Sequence, residues 1–375
     1  MKYCTKCLNT DSRPGTTLNS SGLCSVCSNL NKFDPIIFQS DLKEIVEFGR
    51  SNSNNGYDCL IGVSGGKDSS FQALYVRDVL KMNPLLVSLS YPPEQLSKRG
   101  VNNLENLIKL GFDLHLIHPD PSLWKEIIRI SFHKYANILK GCELALFASV
   151  PRFAIQRQIP LIWWGENSAL QLGETNVLGD SPWDGANLLR MNTLNNGCLE
   201  WLEKFGYTKS DLFLYDFPSK EEIFKAKIRT VFLGPFIPEW SSYHNASLSC
   251  LNGLDINKAD PQIDGDLHGI TSIDDSWVSI NQMIKYYKYG FGRATDDANE
   301  LIWGRLINRD QGIAIVEEFD GKYSEESLRE FCLYLDINLN EFWDKVDSIL
   351  NQKLFKKIAQ GQYKRKFKVG LGVYE

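Results

Sequence analysis

Short apolar runs and helical stripes alternate along the first two thirds of the chain. "CLIGV" (59–63) is a continuous apolar run, the pattern of a strand covered on both faces, and Phe71, Leu74, Tyr75 and Val79 then recur at helical spacing. "LLVSL" (85–89) predicts a second strand, with Val101, Leu104, Leu107 and Ile108 marking the helix after it. "LHLI" (114–117) predicts a third, followed by helical stretches around 122–139 and 143–157. "PLIWWG" (160–165) and "TVFLG" (230–234) predict a fourth and a fifth, with a long irregular excursion over 166–218 between them. The polar stretch "RSNSNNG" (50–56) reads as a loop. This rhythm predicts an α/β fold with a doubly wound parallel sheet, whose ligands sit beyond the carboxyl ends of the strands. From about 270 the strand pattern fades. Trp277, Ile280, Ile284 and Tyr287 share a helical face, and 296–308, 324–335 and 340–358 read as further helices. The expected division is a module at 1–35, the α/β domain at 36–270, and a helical region at 271–375 that contributes to the substrate site.

Composition adds limits. Of 375 residues 43% are hydrophobic and 23% charged, and no run of about 18 apolar residues could span a bilayer. The start "MKYCTKC" lacks the apolar stretch of a secretory signal, so the expected location is the cytoplasm. A net charge of −5 argues against nucleic acid as the main partner, and the basic cluster "YKRKFK" (363–368) reads as a solvated face.

Nine cysteines in a cytosolic chain do not suggest a disulfide framework. Four are grouped: Cys4 and Cys7, then Cys24 and Cys27, with turn material "RPG" and "NSSG" between the pairs. Two such knuckles can bring four thiolates to one tetrahedral Zn²⁺ at about 2.3 Å each. A site with four cysteine ligands has no open position, so this zinc is expected to be structural and to fold a segment too small for its own core. The other five cysteines read as buried hydrophobes. Cys142, at a helix start, is either a packed thiol or a reactive one. His244 and His268 stand in loops with nothing in the sequence to pair them to a metal.

The chemistry concentrates in "SGGKDS" (64–69), where the first strand ends. Two glycines open backbone angles closed to other residues and let N–H groups approach an anion. Lys67 adds charge, and the following helix presents its positive end to the same point. The spacing is neither that of a Walker A loop nor G-x-G-x-x-G. It resembles the pyrophosphate loop of the N-type ATP pyrophosphatases, which cut ATP between the α and β phosphates and adenylate a substrate oxygen. That resemblance implies that Ser64, Gly65, Gly66, Lys67 and Ser69 hold the pyrophosphate and that Asp68 helps hold Mg²⁺. It also places adenine along Ser88 to Tyr91. At the end of the fourth strand, Gly165, Glu166 and Asn167 are read either as a second Mg²⁺ carboxylate with polar contacts to phosphate, or as a glycine turn with a helix cap.

Taken whole, the chain resembles the bacterial N-acetyl sugar amidotransferases of surface-polysaccharide and flagellar-sugar biosynthesis. The matching pieces are "MKYCTKC…RPG…GLCSVC", "YDCLIGVSGGKDSS", "CELALFASVPRFAIQRQIPLIWWGENSALQLG", "VFLGPFIPEW" and "YYKYGFGRATDDA", in that order. One position departs: a His commonly follows the Asp of "GRATD", where this chain has Asp297. The resemblance implies that a sugar acetamido group becomes an acetamidino group. Its oxygen, a poor leaving group because of amide resonance, is adenylated, and ammonia then displaces AMP. In "YGFGRATDDA" Arg293 could pair with a phosphate or a sugar carboxylate, and Asp296 could orient a sugar hydroxyl or ammonia; a capped helix start with a surface Arg is the other reading. Lys67, Asp68, Glu166, Arg293 and Asp296 are the expected catalytic set. Residue 2 is Lys2, and no cysteine sits in a Gly-x-Cys-x-Gly elbow, so no glutaminase is expected in this chain. The resemblance implies a separate glutaminase and a barrel partner like those of imidazole glycerol phosphate synthase.

The main rival is a tRNA-thiolating enzyme, since several of those pair an SGGKDS loop with a zinc-binding segment. The acidic balance and the lack of a further CxxC pair weigh against it. A nucleotide-binding scaffold without turnover is a third reading.

Overall fold

The five apolar runs form β1 (Cys59–Gly62), β2 (Pro84–Leu89), β3 (Leu114–Ile117), β4 (Leu161–Trp164) and β5 (Arg229–Phe232). The computed structural model describes residues 1–29, 38–53, 56–165, 167–168 and 173–373, so the expected boundary at 35/36 lies outside the described residues. The strands make one sheet in the order β3-β2-β1-β4-β5, with every pair parallel. Chain direction across the sheet therefore reverses between β1 and β4, and the crevice beyond their carboxyl ends is the switch point at which such sheets bind ligands.

Both faces are covered, which is why the runs read as continuously apolar. Ile61 and Trp163 point into one layer, with Phe71, Leu74, Leu104 and Leu107. Their neighbours Leu60 and Ile162 point into the other, with Val150 and Phe153. The covering helices are α1 (Gln39–Ser51), α2 (Lys67–Asp78), α3 (Lys98–Lys109), α4 (Pro121–Tyr135) and α5 (Lys140–Arg157). The first of these extends into the stretch expected to be a loop and buries Leu42, Ile45, Val46 and Gly49. Local chemistry sets the ends: Asp120 accepts from the Ser122 and Leu123 N–H groups, with Pro121 in the first helical turn.

Beyond β5 come α6 (Ser242–Leu251), α7 (Val278–Tyr289), α8 (Arg293–Trp303), α9 (Arg309–Phe319), α10 (Glu325–Tyr334) and α11 (Leu339–Ile349). The C-terminal helices share a core with α4 and α5, where Trp124, Phe132, Trp277, Phe331 and Phe342 meet. Truncating one of these rings to Ala would cost about 3–5 kcal/mol. The helix expected over 340–358 stops at Ile349, and two hairpins follow, β6 (Phe355–Ala359) with β7 (Gln362–Arg365), and β8 (Phe367–Lys368) with β9 (Gly372–Val373). Gly361, with φ +72°, makes the first turn. Phe355 and Phe367 are buried there, while the lysines between them face solvent.

The N-terminal module docks on α8 and α9. The Leu8 N–H donates to Asn299 Oδ1 at 2.7 Å, and Ser12 Oγ donates to the Tyr289 carbonyl at 2.6 Å. The Arg309 guanidinium reaches the Cys4 and Cys7 carbonyls, each at 3.3 Å. Among the described residues no helix is long and apolar enough to cross a membrane.

Candidate active site

β1 runs directly into the glycine turn. Gly65 has φ +81°, and a Cβ there would lie 3.2 Å from the Gly100 carbonyl oxygen of α3, so both the angle and the space call for glycine. Gly66 is extended and α2 starts at Lys67, which leaves the first-turn N–H groups of α2 directed at the crevice. The turn is tied internally, the Gly66 N–H donating to Ser64 Oγ at 3.3 Å and Ser69 Oγ to the Gly66 carbonyl at 3.2 Å.

Lys67 is 7% exposed, and its Nζ donates to Asp68 Oδ2 at 2.9 Å. Asp68 Oδ1 accepts from Asn245 Nδ2 of α6 at 2.8 Å, and Ser249 Oγ of the same helix donates to the Lys67 carbonyl at 2.9 Å. A carboxylate oxygen has further lone-pair capacity, so Asp68 can still face a cation. Gly165, at the end of β4, abuts α2: a Cβ there would meet Gln72 Oε1 at 2.7 Å. Gln72 is fully buried one turn after Asp68, and both its amide atoms lack a hydrogen-bond partner. Glu166 lies outside the described residues. Asn167 is buried and donates to the Pro182 carbonyl at 3.2 Å, and Ser88 is buried near the end of β2.

The C-terminal region reaches this crevice through α8. Arg293, Asp297 and Glu300 recur at i, i+4 and i+7, so they share a helix face. Burial lifts the Glu300 carboxyl above the usual carboxylate range against the pull of Lys67, with Asp297 and His268 also close enough to act on it. Arg293 is 5% exposed and donates to Asp266 Oδ2 at 2.7 Å and to the Thr271 carbonyl at 2.9 Å. Asp296 points the other way. It pairs with Lys285 at 2.6 Å and with Arg13 of the N-terminal module. Burial raises its carboxyl, but those two cations outweigh burial and hold it below its ordinary value. Thus Asp297, at the position where the chain departs from the pattern it resembles, faces the loop that carries Leu267 and His268, while Asp296 ties α8 to the cysteine module.

Two readings of the histidines change. His268 is not without partners: Asp266 and Asp297 stand against its ring, at 3.7 and 3.2 Å, because the chain folds α8 back onto the loop that carries it. His244 lies in α6, not a loop, with its ring packed edge-on to Phe71 at 5.4 Å. Cys142 is a packed thiol, pushed well above its ordinary pKa by burial.

Arg293 also lines a cleft of about 290 Å³ with Ser97, Asp264, Asp275, Ser279 and Glu330, and its buried Nε has no hydrogen-bond partner. Asp275 accepts from the Trp277 N–H at 2.8 Å, and burial outweighs this bond and raises its carboxyl to about 6. The fold thus favours the neutral acid. The stability linked to it is full below about pH 4 and is lost as pH rises through about 6. Asp275→Asn, which keeps the acceptor, should gain melting temperature relative to the parent protein between about pH 4 and about pH 7.5. A Tm difference that stays constant over this range contradicts the assignment.

The four grouped cysteines fit a metal. They are buried, and one sulfur from each lies within 4.8 Å of the others. Cys7 Sγ and Cys24 Sγ are 3.7 Å apart, the edge of a tetrahedron with bonds of about 2.3 Å. Backbone N–H groups of Asn9 and Cys24 point at Cys7 Sγ and Cys4 Sγ, at 3.4 and 3.3 Å, as donors that favour thiolates. A zinc ion or an iron–sulfur cluster suits this donor set.

Residues 269–368 match the family described as "LPS biosynthesis protein WbpG-like, C-terminal domain". An uncharacterized protein of Methanocaldococcus jannaschii is 28% identical over 122 residues, 31% of this chain; the chain spans 43% of that relative's length. Two solved structures are similar at low superposition scores. The U34-tRNA thiolase NcsA from Methanococcus maripaludis, with its [4Fe-4S] cluster, has TM-score 0.31 and 16% identity, over 72% of this chain and 80% of its own. The NH3-dependent NAD synthetase from Campylobacter jejuni has TM-score 0.29 and 15% identity, over 60% of this chain and 99% of its own. Superpositions this loose carry no argument about the reaction.

Proposed function

We propose that the chain is an ATP-dependent amidotransferase. It adenylates the acetamido oxygen of a sugar, carried as a nucleotide sugar, and ammonia replaces that oxygen to give an acetamidino sugar for surface polysaccharide. The observation that supports this most is the place of the SGGKDS turn, at the carboxyl end of β1 and at the sheet's switch point, with α8 of the C-terminal region facing it. The match of that region to a lipopolysaccharide-biosynthesis family favours a sugar over a tRNA base.

In this reading the turn and Lys67 hold the departing diphosphate, Asp68 and Glu166 serve Mg²⁺, and Ser88 lies along adenine. Gly165 and Asn167 shape the phosphate end, and the polar cleft beside Arg293 takes sugar hydroxyls. The cysteine module holds a structural Zn²⁺. Aligning the acetamido oxygen with the α-phosphate supplies proximity, and fixed N–H dipoles and Lys67 stabilise charge as it develops on the phosphates. The reaction runs in the cytoplasm, with ammonia from a separate glutaminase and its barrel partner.

The test is release of pyrophosphate with ATP, Mg²⁺, ammonium and a panel of UDP-N-acetyl sugars. The expected product is about 1 Da lighter than the substrate, as NH replaces O. Release that needs tRNA and a sulfur donor would assign the protein to thiolation, and no release with any acceptor would leave a scaffold. The isolated chain should use ammonium but not glutamine. Glutamine-driven turnover without partners contradicts the inferred division of labour.

A further inference from the structure

We propose that Asp266, His268 and Asp297 form a second metal site, separate from the cysteine cluster, for a hard or borderline divalent cation such as Mn²⁺. One donor atom from each residue lies within 4.8 Å of the other two. Bonds of about 2.1 Å put opposite ligands about 4.2 Å apart, so little adjustment closes the shell. The three residues come from two segments, the loop after the short helix Pro261–Asp264 and α8, and only the fold joins them.

The decisive atom is His268 Nε2. Its side chain is 9% exposed, and this nitrogen has no hydrogen-bond partner of normal geometry. Such an atom buried in protein is costly unless something meets it. It stands 3.2 Å from Asp297 Oδ1, a spacing suited to two ligands of one cation. The carboxylates are already aimed. Asp297 Oδ2 accepts from the Leu267 N–H at 3.2 Å, and Asp266 Oδ1 accepts from the His268 and Gly269 N–H groups at 3.1 and 2.8 Å. Asp266 Oδ2 takes Arg293. When His268 Nε2 ligates, Nδ1 must carry the ring proton, so it gives up its weak contact with the Ile270 N–H at 3.4 Å and turns to Asp266 Oδ1, 3.7 Å away. Backbone donors of this kind orient ligands as the outer shell of a metal site does. Charge also agrees. Arg293 balances Asp266 and leaves Asp297 to face a cation.

Oxygen and imidazole donors suit Mn²⁺, whereas thiolates select softer ions, so the two sites separate experimentally. Zinc-loaded full-length protein is titrated with Mn²⁺ without nucleotide, and free Mn²⁺ is read by its electron paramagnetic resonance signal. One equivalent should bind. His268→Ala and, as a milder second variant, Asp297→Asn should each weaken binding by about tenfold or more, with far-UV circular dichroism unchanged. His244→Ala and Asp68→Asn should bind as the parent does. The proposal fails if no Mn²⁺ binds or if both site variants bind normally. It fails equally if Asp68→Asn abolishes binding while His268→Ala retains it, since the ion would then belong to the phosphate loop.

Discussion

Replacing Lys67 by Ala should lower pyrophosphate release by about 100- to 1,000-fold, the loss seen when one fixed donor to a developing anion is removed. Three features set this size. The ammonium is buried, it sits at the start of α2, and the glycine turn places it beside the N–H groups that would share the load. The loss should fall on kcat more than on KM, because charge on the leaving diphosphate grows in the transition state. Asp68 keeps its bond from Asn245 in this variant, so the fold should survive, as circular dichroism and Tm would record. Normal turnover by Lys67→Ala would remove the phosphate-loop reading.

The second large effect lies far from the loop. Cys7→Ser, or removal of metal by a chelator, should unfold the N-terminal module and lower turnover by about 100-fold, the scale on which small misplacements disturb a reaction. The module is coupled to α8 through Leu8 and Asn9 with Asn299 and Arg13 with Asp296, and to the end of α7 through Ser12 with the Tyr289 carbonyl. Arg13 also lies over the Phe291 ring, its guanidinium carbon 4.0 Å from the centroid. Freeing that side of α8 frees the helix that carries Asp297 and Glu300. Hydrogen exchange checks the route: residues 1–29 and 291–303 should lose protection together, while β1 and β2 keep theirs. Protection lost in the module alone, with turnover unchanged, would mean that the metal serves only its own segment. Arg13→Ala should show the same pattern more weakly, since Lys285 still holds Asp296.

Much of the fold was legible because it rests on local signals. A strand buried on both faces leaves a continuous apolar run, and each of β1 to β5 sits within two residues of its run at either end. The glycine turn and the paired cysteines carry their chemistry in their spacing. The helix α1 is marked by only a short stripe, Leu42, Ile45 and Val46, and its last turn runs into the polar stretch that reads as a loop. The C-terminal hairpins were hidden for another reason. Lysine is a good helix former, so "FKKI" (355–358) reads as the end of a helix and "YKRKFK" (363–368) as a solvated face until Phe355 and Phe367 find a common core.

The site was less legible than the fold. Nothing local links His268 to Asp297, Asp68 to Asn245, or Arg13 to Asp296. Each pair is made by chain reversal between distant segments. The adjacent Asp296 and Asp297 look equivalent in sequence, yet consecutive residues on a helix are about 100° apart. One faces the cysteine module and the other the loop that carries His268. The i, i+4, i+7 repeat of Arg293, Asp297 and Glu300 was the available signal, and Lys67 acts on that face through Glu300.

Oxygen tracing tests the reaction at its centre. An acetamido sugar labelled with oxygen-18 in its carbonyl, turned over with ATP and ammonium, should give AMP carrying the label and an unlabelled pyrophosphate. Label remaining in the sugar, or ADP in place of AMP, would contradict adenylation of the acetamido oxygen.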